Sequence, residues 1–324
     1  MLRDKFNRVI NYLRVSITDR CNLRCRYCTE TLVPFIPHGE ILRYEEIVRF
    51  VRIAASLGVR KVRLTGGEPL QRKGLPFLIK EIDSMGLIED ISLTTNGVDL
   101  ADAVEELAAA GLRRVNISLD SLKAERFAHI TGVDAFDRVV RSIEKASAAG
   151  LDPVKINTVI IKGFNDDEAL DFADFARERS VQVRFIEFMP FGQESLWDRS
   201  RILSSAELEG LIRRAYDLHP CDDAGMGPAR MFNLDGGAGK VGFISPMSSH
   251  ICRACNRIRL TSDGKIRPCL FSNVEYDVKA LLRGGAGDAE VADFVIGAVK
   301  AKPERKVEEG AIRKCQRSMR HIGG

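Results

Sequence analysis

Residues 12–28 read YLRVSITDRCNLRCRYC, a run rich in β-branched side chains that leads directly into three cysteines. Successive side chains of a β-strand point to opposite faces, so the run separates into two sets. One set is apolar and consists of Leu13, Val15 and Ile17, whereas the other carries Arg14 and two hydroxyl side chains. The apolar face is expected to contact a layer of helices, which leaves the polar face to line an interior space.

The same alternation recurs over the first 190 residues, where short strands alternate with amphipathic helical patterns. The predicted strands are Tyr12–Thr18, Lys61–Thr65, Ile91–Thr95, Arg114–Leu119, Val154–Ile160 and Val181–Glu187. Repeated βα units predict parallel strands with right-handed crossovers. Six units are too few for a closed eight-fold barrel, so we expect an α/β fold with an open, incomplete TIM-like (β/α)6 barrel. A doubly wound sheet is the alternative.

The repeating pattern ends near Met189-Pro190, which predicts a boundary between a partial barrel over residues 1–190 and a second domain over residues 191–324. The second part mixes a helical pattern with short strands and a hairpin turn at Ser262-Asp263-Gly264. We therefore expect an α+β extension at the C-terminal side of the barrel.

Three cations fall on the predicted interior face of the barrel strands, namely Arg14, Arg63 and Lys155. An ordinary barrel interior is filled by branched apolar side chains, and burying an unpaired cation costs roughly several kcal/mol. The interior is therefore expected to bind a polyanion or to hold water. Local pairing of these cations with acids such as Asp120 or Glu187 is the alternative.

The composition excludes several classes of protein. The chain has 324 residues, with 49 Lys and Arg against 45 Asp and Glu, a net charge of +4 that is too mild to indicate nucleic-acid binding. No run approaches the roughly 20 apolar residues that cross a bilayer, and charged residues begin at Arg3 without an apolar leader. The sequence therefore predicts a cytoplasmic protein that binds neither nucleic acid nor membrane.

Six of the eight cysteines fall into two triplets, spaced C-x3-C-x2-C and C-x2-C-x13-C. The first triplet consists of Cys21, Cys25 and Cys28, and the second of Cys252, Cys255 and Cys269. The other two cysteines, Cys221 and Cys315, are interpreted as small apolar side chains that fill space or as surface thiols. In a cytosolic chain this spacing predicts metal binding rather than disulfides. Three thiolates suit zinc or an iron–sulfur cluster, but structural zinc requires a fourth ligand, for which only His250 lies close to a triplet. Three ligands on a [4Fe–4S] cluster would leave one iron open, as catalytic metal sites do.

A glycine pair follows the second predicted strand in Thr65-Gly66-Gly67-Glu68-Pro69, next to the first triplet. Paired glycines allow the backbone to approach a ligand closely, although a simple βα corner is the alternative. The C-x3-C-x2-C loop with Tyr27 and the GGEP motif together resemble radical S-adenosylmethionine (SAM) enzymes. The resemblance implies that SAM chelates the open iron and is cleaved by one electron to a 5′-deoxyadenosyl radical, so the difficult chemistry belongs to the cofactor.

Three further features narrow the resemblance: the second triplet, the segment CNRIRLTSDG at residues 255–264, and the terminal Gly323-Gly324. With these features the sequence resembles, over essentially its whole length, the GTP 3′,8-cyclase family of molybdenum cofactor biosynthesis, the MoaA family. The resemblance implies two [4Fe–4S] clusters, SAM as cofactor and GTP as substrate. The radical would remove hydrogen from ribose C3′, and the carbon radical would attack guanine C8 to give (8S)-3′,8-cyclo-7,8-dihydroguanosine 5′-triphosphate.

The family resemblance implies a role for each matching residue. The SAM-cleaving cluster would be held by Cys21, Cys25 and Cys28, and the substrate cluster by Cys252, Cys255 and Cys269. SAM would contact Tyr27, Gly67, Ser118 and Met189. GTP would be held by Arg14, Arg63, Thr94, Lys155, Arg257, Ile258 and Arg259. The terminal Gly323 and Gly324 would enter the active site and be required for conversion of GTP.

The resemblance also implies partners, namely a reductant protein and a downstream MoaC-like cyclic pyranopterin monophosphate synthase, and it leaves a homodimer open. Two departures from the family pattern concern loop conformation. Thr29-Glu30 stands where the family commonly has Met-Pro, and the segment Asp4–Arg8 has Asn7 where the family often has glycine.

Three rival classes remain open on the sequence alone. A peptide-modifying radical SAM maturase typically carries more cysteines in its C-terminal domain than this chain does. A simple electron carrier needs four cysteines for each cluster. A zinc-dependent nucleic-acid-binding protein needs closed metal sites and a basic face.

Overall fold

The computed structural model describes residues 1–28, 34–191, 197–221, 227–249, 252–305, 315 and 317–323. The strands are β1 Tyr12–Ser16, β2 Lys61–Thr65, β3 Asp90–Thr95, β4 Arg114–Ser118, β5 Val154–Ile160, β6 Gln182–Glu187, β7 Leu218–Pro220, β8 Arg230–Leu234, β9 Lys240–Ile244, β10 Arg257–Leu260, β11 Lys265–Arg267 and β12 Tyr276–Asp277. The helices are α1 Tyr44–Ser56, α2 Leu75–Asp83, α3 Leu100–Ala109, α4 Ala124–Thr131, α5 Phe136–Ala148, α6 Ala169–Arg179, α7 Ser205–Ile212, α8 Val278–Arg283, α9 Asp288–Lys300 and α10 Met319–Ile322.

The first six strands lie in chain order, β1 to β6, and each pairs in parallel with the next. A doubly wound sheet reverses its strand order at a switch point, and no reversal occurs here. The doubly wound alternative is therefore wrong. The expected open α/β sheet is confirmed, because the sheet ends at β12 on one side and at β7 on the other.

Strands from the C-terminal part of the chain extend this sheet at both edges. β10 pairs in parallel with β1, and β9 pairs in parallel with β6, so eight parallel strands stand side by side. Antiparallel strands follow beyond them, β11 and β12 on one edge and β8 and β7 on the other. The proposed division at residue 190 stays a prediction, but residues on both sides of it share one sheet.

The apolar faces of the strands pack against the helices, as the alternation predicts. Leu13 and Val15 of β1 and Val62 and Leu64 of β2 have no solvent exposure and belong to the main hydrophobic core. The burial of these side chains is the largest favourable contribution to the fold. The opposite face of the same strands is left to enclose a polar space.

The helix between β4 and α5 is short. Helix α4 spans only eight residues and buries Phe127, Ile130 and Thr131. A helix this short provides two turns, too few for the 3.6-residue pattern to stand out in a sequence.

Within the described part of the chain, no helix is long and apolar enough to cross a membrane.

Candidate active site

A single cavity lies against the polar face of the eight parallel strands and extends to the loops after their carboxyl ends. Its wall contains all six cysteines of the two triplets. It also contains the predicted SAM contacts Tyr27, Gly67, Ser118 and Met189 and the predicted GTP contacts Arg14, Arg63, Thr94, Arg257 and Arg259. The first triplet follows β1 at the carboxyl ends of the parallel strands, where barrel enzymes place their chemistry. Cys252 and Cys255 precede β10 and therefore lie at the amino end of the same strands. The cavity thus joins residues that are more than 200 positions apart in the sequence.

The first cysteine loop, residues 19–28, is held by the backbone of the glycine pair. The amide of Gly67 donates to the Thr18 carbonyl at 2.7 Å, and the amide of Glu68 donates to the Arg20 carbonyl at 2.6 Å. A Cβ at Gly66 would lie 2.5 Å from the Thr18 oxygen, and a Cβ at Gly67 would overlap the Arg20 carbonyl. The glycines are therefore required because the cysteine loop itself lies against them.

Glu68 connects this contact to the neighbouring strand end. Its side chain is 1% exposed and accepts hydrogen bonds from the Thr95 hydroxyl at 2.8 Å and the Asn96 amide at 2.6 Å. Burial raises the pKa of Glu68 to about 7 despite these hydrogen bonds. The amide nitrogen Nδ2 of Asn96 in turn lies 3.8 Å from Cys21 Sγ, so the ends of β2 and β3 jointly fix the loop.

The three thiols of the first triplet are close enough to oppose one another's ionisation. Burial, and then the neighbouring Cys28 and Asp120, raise the pKa of Cys25 well above its usual value. Burial, and then Cys21, raise the pKa of Cys28 to about 12. Such a donor set becomes fully ionised only with a bound cationic group, and its chemistry fits an iron–sulfur cluster. Among the described residues no three His, Cys, Asp or Glu side chains converge on one metal ion, so the fit rests on donor type and shared position.

The second cysteine segment, residues 252–269, brings its triplet to the same cavity at the amino end of the parallel strands. The amide of Cys255 donates to the Cys252 carbonyl at 3.1 Å, which forms a tight turn between them. Burial opposes ionisation of Cys255, but the nearby Arg257 and Lys302 lower its pKa to about 6. His250, the candidate fourth ligand for zinc, lies outside the described residues.

Arginines converge on the cavity because neighbouring strands are in register. Arg14 of β1 is the Cα partner of Arg63 on β2 and of Arg259 on β10. Burial, and then the charges of Arg259 and Arg63, lower the pKa of Arg14 well below its usual value. Burial, and then Arg257, lower the pKa of Arg259 to about 9. Like charges held this closely in a buried space favour binding of an anion.

Two of the predicted GTP contacts stand apart from this arrangement. The Ile258 side chain is 2% exposed and packs in the hydrophobic core, so that only its backbone is available to a ligand. Lys155 lies on the same face of β5 as Asn157, two residues nearer the start of the strand and outside the described wall of the cavity.

The sequence prediction omits Arg184, which belongs to the same group of arginines. Its side chain lines the cavity, is 4% exposed and donates to the side-chain carbonyl oxygens of Asn116 and Asn157. Burial, and then Arg63, lower its pKa to about 9. Within the described residues, neither Arg184 nor Arg259 has an ion pair with a carboxylate. Arg184 lies within the predicted strand Val181–Glu187, and the alternation, had it been applied to this strand, would have placed Arg184 on the interior face.

The side of the cavity predicted to bind SAM contains one strong internal contact. The Tyr27 hydroxyl donates to Asp120 Oδ2 at 2.5 Å, and the edge of its ring packs against Phe188. Asp120 also accepts from the Val159 amide at 2.8 Å, and burial raises its pKa to about 6. Ser118, two residues earlier, and Met189 lie in the same wall.

The C-terminal tail returns to the barrel. The Gly323 carbonyl accepts from Arg259 Nη1 at 2.9 Å, and a Cβ at Gly323 would lie 2.6 Å from Thr65 Cγ2. Gly323 has a φ of 82°, a conformation that glycine adopts without strain. Gly324, which is predicted to enter the active site together with Gly323, lies outside the described residues. Thr29 and Glu30, which differ from the family pattern, also lie outside them.

Both parts of the chain match models of known protein families. Residues 15–176 match the Radical SAM superfamily, and residues 181–308 match Molybdenum Cofactor Synthesis C. The GTP 3′,8-cyclase of Moorella thermoacetica is 50% identical over 100% of both chains, and that of Syntrophomonas wolfei is 49% identical over 99% of both. The crystal structure of Streptococcus suis SuiB bound to S-adenosylmethionine superposes with a TM-score of 0.63 at 17% identity, covering 90% of this chain and 68% of SuiB. This last likeness concerns the fold alone.

Proposed function

The chain belongs to the GTP 3′,8-cyclase family of radical SAM enzymes, and we propose that it converts GTP to (8S)-3′,8-cyclo-7,8-dihydroguanosine 5′-triphosphate. This reaction would be its step in molybdenum cofactor biosynthesis. The observation that best supports the proposal is the single cavity, whose wall combines two cysteine triplets with a group of buried arginines.

The two triplets would hold two [4Fe–4S] clusters on opposite sides of this cavity. Cys21, Cys25 and Cys28 would hold the cluster that binds SAM, and Cys252, Cys255 and Cys269 the cluster that faces the substrate. When bound, the first cluster and SAM would supply the radical chemistry that removes hydrogen from ribose C3′ of GTP.

The arginines would bind the triphosphate and orient the nucleotide. Arg14, Arg63 and Arg259 are in register on three adjacent strands, so their guanidinium groups are presented from one side. Guanidinium groups bind phosphate oxygens through paired, charge-assisted hydrogen bonds. A polyanion would also relieve the mutual repulsion of these cations, of which Arg259 is buried and Arg14 and Arg63 are partly buried, and this explains why they face a cavity rather than the core. Arg184 and Lys155 would contribute from the other side of the barrel.

Tyr27 and Gly67 would contact SAM mainly through their backbones, because their local geometry is already fixed. The Tyr27 side chain is committed to Asp120. Gly67 has no side chain and its amide already donates to the Thr18 carbonyl, so its contact with SAM would be made by its own carbonyl. Ser118 and Met189 would complete the SAM pocket. The backbone of Gly323, placed between β1, β2 and Arg259, would exclude water and fix that arginine next to the substrate.

The proposal includes three partners. An external reductant protein would supply two electrons, one to cleave SAM and one that, with a proton, reduces the nucleotide radical left after cyclisation. A MoaC-like cyclic pyranopterin monophosphate synthase would consume the product. A homodimer is proposed as the state in solution, and sedimentation of the purified chain tests it directly.

The proposed reaction is tested with anaerobically reconstituted protein, SAM, a chemical reductant and GTP deuterated at C3′. We expect equal amounts of 5′-deoxyadenosine and cyclised nucleotide, with the deuterium transferred to 5′-deoxyadenosine. ATP in place of GTP serves as the control and should give no cyclised product. Cleavage of SAM without deuterium transfer or cyclisation would contradict the proposed substrate.

A further inference from the structure

The N-terminal segment contacts the second cysteine segment through one arginine. Arg8 Nη1 donates to the carbonyls of Cys252 at 2.8 Å and Glu304 at 2.9 Å, and Nη2 donates to the Pro303 carbonyl at 2.7 Å. Its remaining nitrogen, Nε, donates to Asp4 Oδ2 at 2.5 Å. The side chain of Arg8 is only 8% exposed, and these acceptors take up four of the five N–H donors of a nearly buried guanidinium.

The local backbone of residues 4–8 is shaped to present this arginine. Asp4 accepts from the amides of Phe6 at 2.9 Å and Arg8 at 3.0 Å, which closes a tight loop. Asn7 has a φ of 63°, in the left-handed region that favours glycine and, after it, asparagine. The left-handed conformation is thus compatible with asparagine at a position where the family often has glycine.

Lys302 makes matching contacts with the rest of the second cysteine segment. Its ammonium donates to the carbonyls of Arg257, at 2.9 Å, and Pro268. Arg257 lies two residues after Cys255, and Pro268 immediately precedes Cys269. The carbonyls that Arg8 binds at Pro303 and Glu304 directly follow Lys302, so Arg8 also holds the segment that carries Lys302.

A negatively charged neighbour would stabilise the buried charge of Lys302. Its side chain is buried, at 3% exposure, and within the described residues it has no carboxylate partner. Neutral carbonyl oxygens satisfy its hydrogen bonds but leave its charge uncompensated, which is costly in a buried site. Lys302 lines the cavity together with Cys252, Cys255 and Cys269. Three thiolates that ligate a cluster would supply the missing negative charge.

We propose that Arg8 and Lys302 form a carbonyl brace that positions all three cysteines of the second triplet for a cluster. Arg8 fixes the segment of Cys252, and Lys302 fixes those of Cys255 and Cys269 while its charge balances the thiolates. Both are positioning residues, because they act through the cysteines and touch no reacting atom. The inference rests on the proposed second cluster, and it adds the residues on which that cluster depends.

The brace is tested on the full chain, reconstituted anaerobically with iron and sulfide. The variants are Arg8→Met and Lys302→Met, which keep the apolar stems but remove the donors, and Arg8→Lys, which keeps the charge. Arg3→Met is the matched control, because Arg3 is an exposed arginine of the same segment whose hydrogen bonds go to Asn7. A variant with Cys252, Cys255 and Cys269 replaced by serine marks complete loss of the second cluster.

Three readouts separate a positioning role from a structural one: iron per chain, the change in the electron paramagnetic resonance spectrum on adding GTP, and SAM cleavage without GTP. In Arg8→Met and Lys302→Met we expect iron to fall from about eight toward about four per chain, with loss of the GTP-induced spectral change. SAM cleavage should stay within about twofold of the unmodified chain, which tests the first cluster separately. Arg8→Lys should recover part of the spectral change, and Arg3→Met should match the unmodified chain.

Each other outcome overturns one specific statement. Full iron content with an intact GTP-induced change in both Met variants would show that the second triplet needs no brace. Equal loss of both clusters would make the two cations supports of the whole fold. If Arg8→Met does not fold, Lys302→Met alone decides between these results. If the unmodified chain itself binds about four irons, the proposed second cluster fails and not the brace.

Discussion

The first cysteine loop and the second cysteine segment reach the same cavity but are held by different kinds of contact. The first loop lies directly on the backbone of Gly67 and Glu68, which are close to it in the fold and lie about 45 residues later in the chain. The second segment is held by the side chains of Arg8 and Lys302, and Arg8 is separated from Cys252 by 244 residues. The first site is therefore held by the barrel strands themselves, whereas the second depends on residues far from it in the sequence, Arg8 and Lys302.

This difference indicates which parts of the molecule tolerate change. A backbone-to-backbone contact leaves no space for a Cβ, so it confines two positions to glycine. A side-chain brace tolerates a change of neighbours but fails completely when its donor groups are removed, because buried carbonyls are then left without partners. The predictions below test this contrast, from the largest effect to the smallest.

Replacing each triplet by serine should separate the two sites completely. Loss of Cys21, Cys25 and Cys28 should abolish SAM cleavage, because no cluster is left to bind SAM. Loss of Cys252, Cys255 and Cys269 should leave SAM cleavage measurable but abolish cyclisation of GTP. In each variant the iron content should fall to about half. Stoichiometric zinc in either site after iron reconstitution would contradict both assignments.

Deleting Gly323-Gly324 should affect product formation and leave both clusters in place. Gly323 packs on Ser16 and Thr65, beside the first loop, and its carbonyl accepts from Arg259 on β10. The tail thus connects the two sides of the cavity. We expect full iron content and loss of nearly all cyclised nucleotide. The GTP affinity should stay within about threefold of that of the unmodified chain, a change of under about 1 kcal/mol in binding free energy. Normal product formation by the shortened chain would mean that the tail is only a frayed end.

Adding one methyl group at Gly66 or Gly67 should damage the first site selectively. In Gly66→Ala and Gly67→Ala the new Cβ would overlap the Thr18 or Arg20 carbonyl, and overpacking of this kind costs about 1–3 kcal/mol. We expect a lower unfolding free energy and loss of SAM cleavage, with the second cluster retained. Gly210→Ala is the matched control, because a Cβ there has nothing within 4 Å. Equal loss of both clusters would refute the selective role of the glycine pair.

Removing buried arginines should weaken GTP binding without destabilising the protein. Arg259 and Arg184 are 4% exposed, and burial lowers both pKa values, so their charge disfavours folding in the absence of an anion. In Arg259→Met and Arg184→Met we expect GTP affinity to fall about tenfold or more, since a charged hydrogen bond contributes about 1.5–3 kcal/mol. Thermal unfolding without GTP should not occur earlier, and Arg138→Met, a surface control, should change neither quantity. Variants that unfold with unchanged GTP affinity would assign these arginines a structural role.

The sequence was sufficient wherever the deciding pattern is local. Strand alternation predicted that Arg14 and Arg63 face the interior, and cysteine spacing predicted the two triplets, because both patterns are fixed within a few residues. The pairing of β10 with β1, which puts Arg259 beside Arg14, is a long-range register that no local pattern encodes. The contacts of Arg8 and Lys302 are long-range in the same way. Ile258 is the converse case, because a motif predicts it as a GTP contact whereas its side chain packs in the core, which leaves only its backbone for a ligand.

The smallest expected effect concerns the ion pair that anchors the tail. Arg317 donates to both carboxylate oxygens of Asp263, at 2.9 and 2.7 Å, in the hairpin turn after β10. Burial opposes ionisation of Asp263, but hydrogen bonds from Arg317 and Thr261 lower its pKa to about 2, so the pair is intact at neutral pH. Asp263→Asn should weaken it by about 1 kcal/mol, because the pair is partly exposed and Glu275 still contacts Arg317 at 3.1 Å. We expect about fivefold less cyclised nucleotide per SAM cleaved, with faster hydrogen exchange of the amides of residues 317–323 and unchanged iron content. Asp102→Asn, which breaks the exposed pair with Arg141, is the control. Faster exchange with no loss of product would mean that the tail finds its place without this anchor, and that Arg259 and the barrel strands alone hold Gly323.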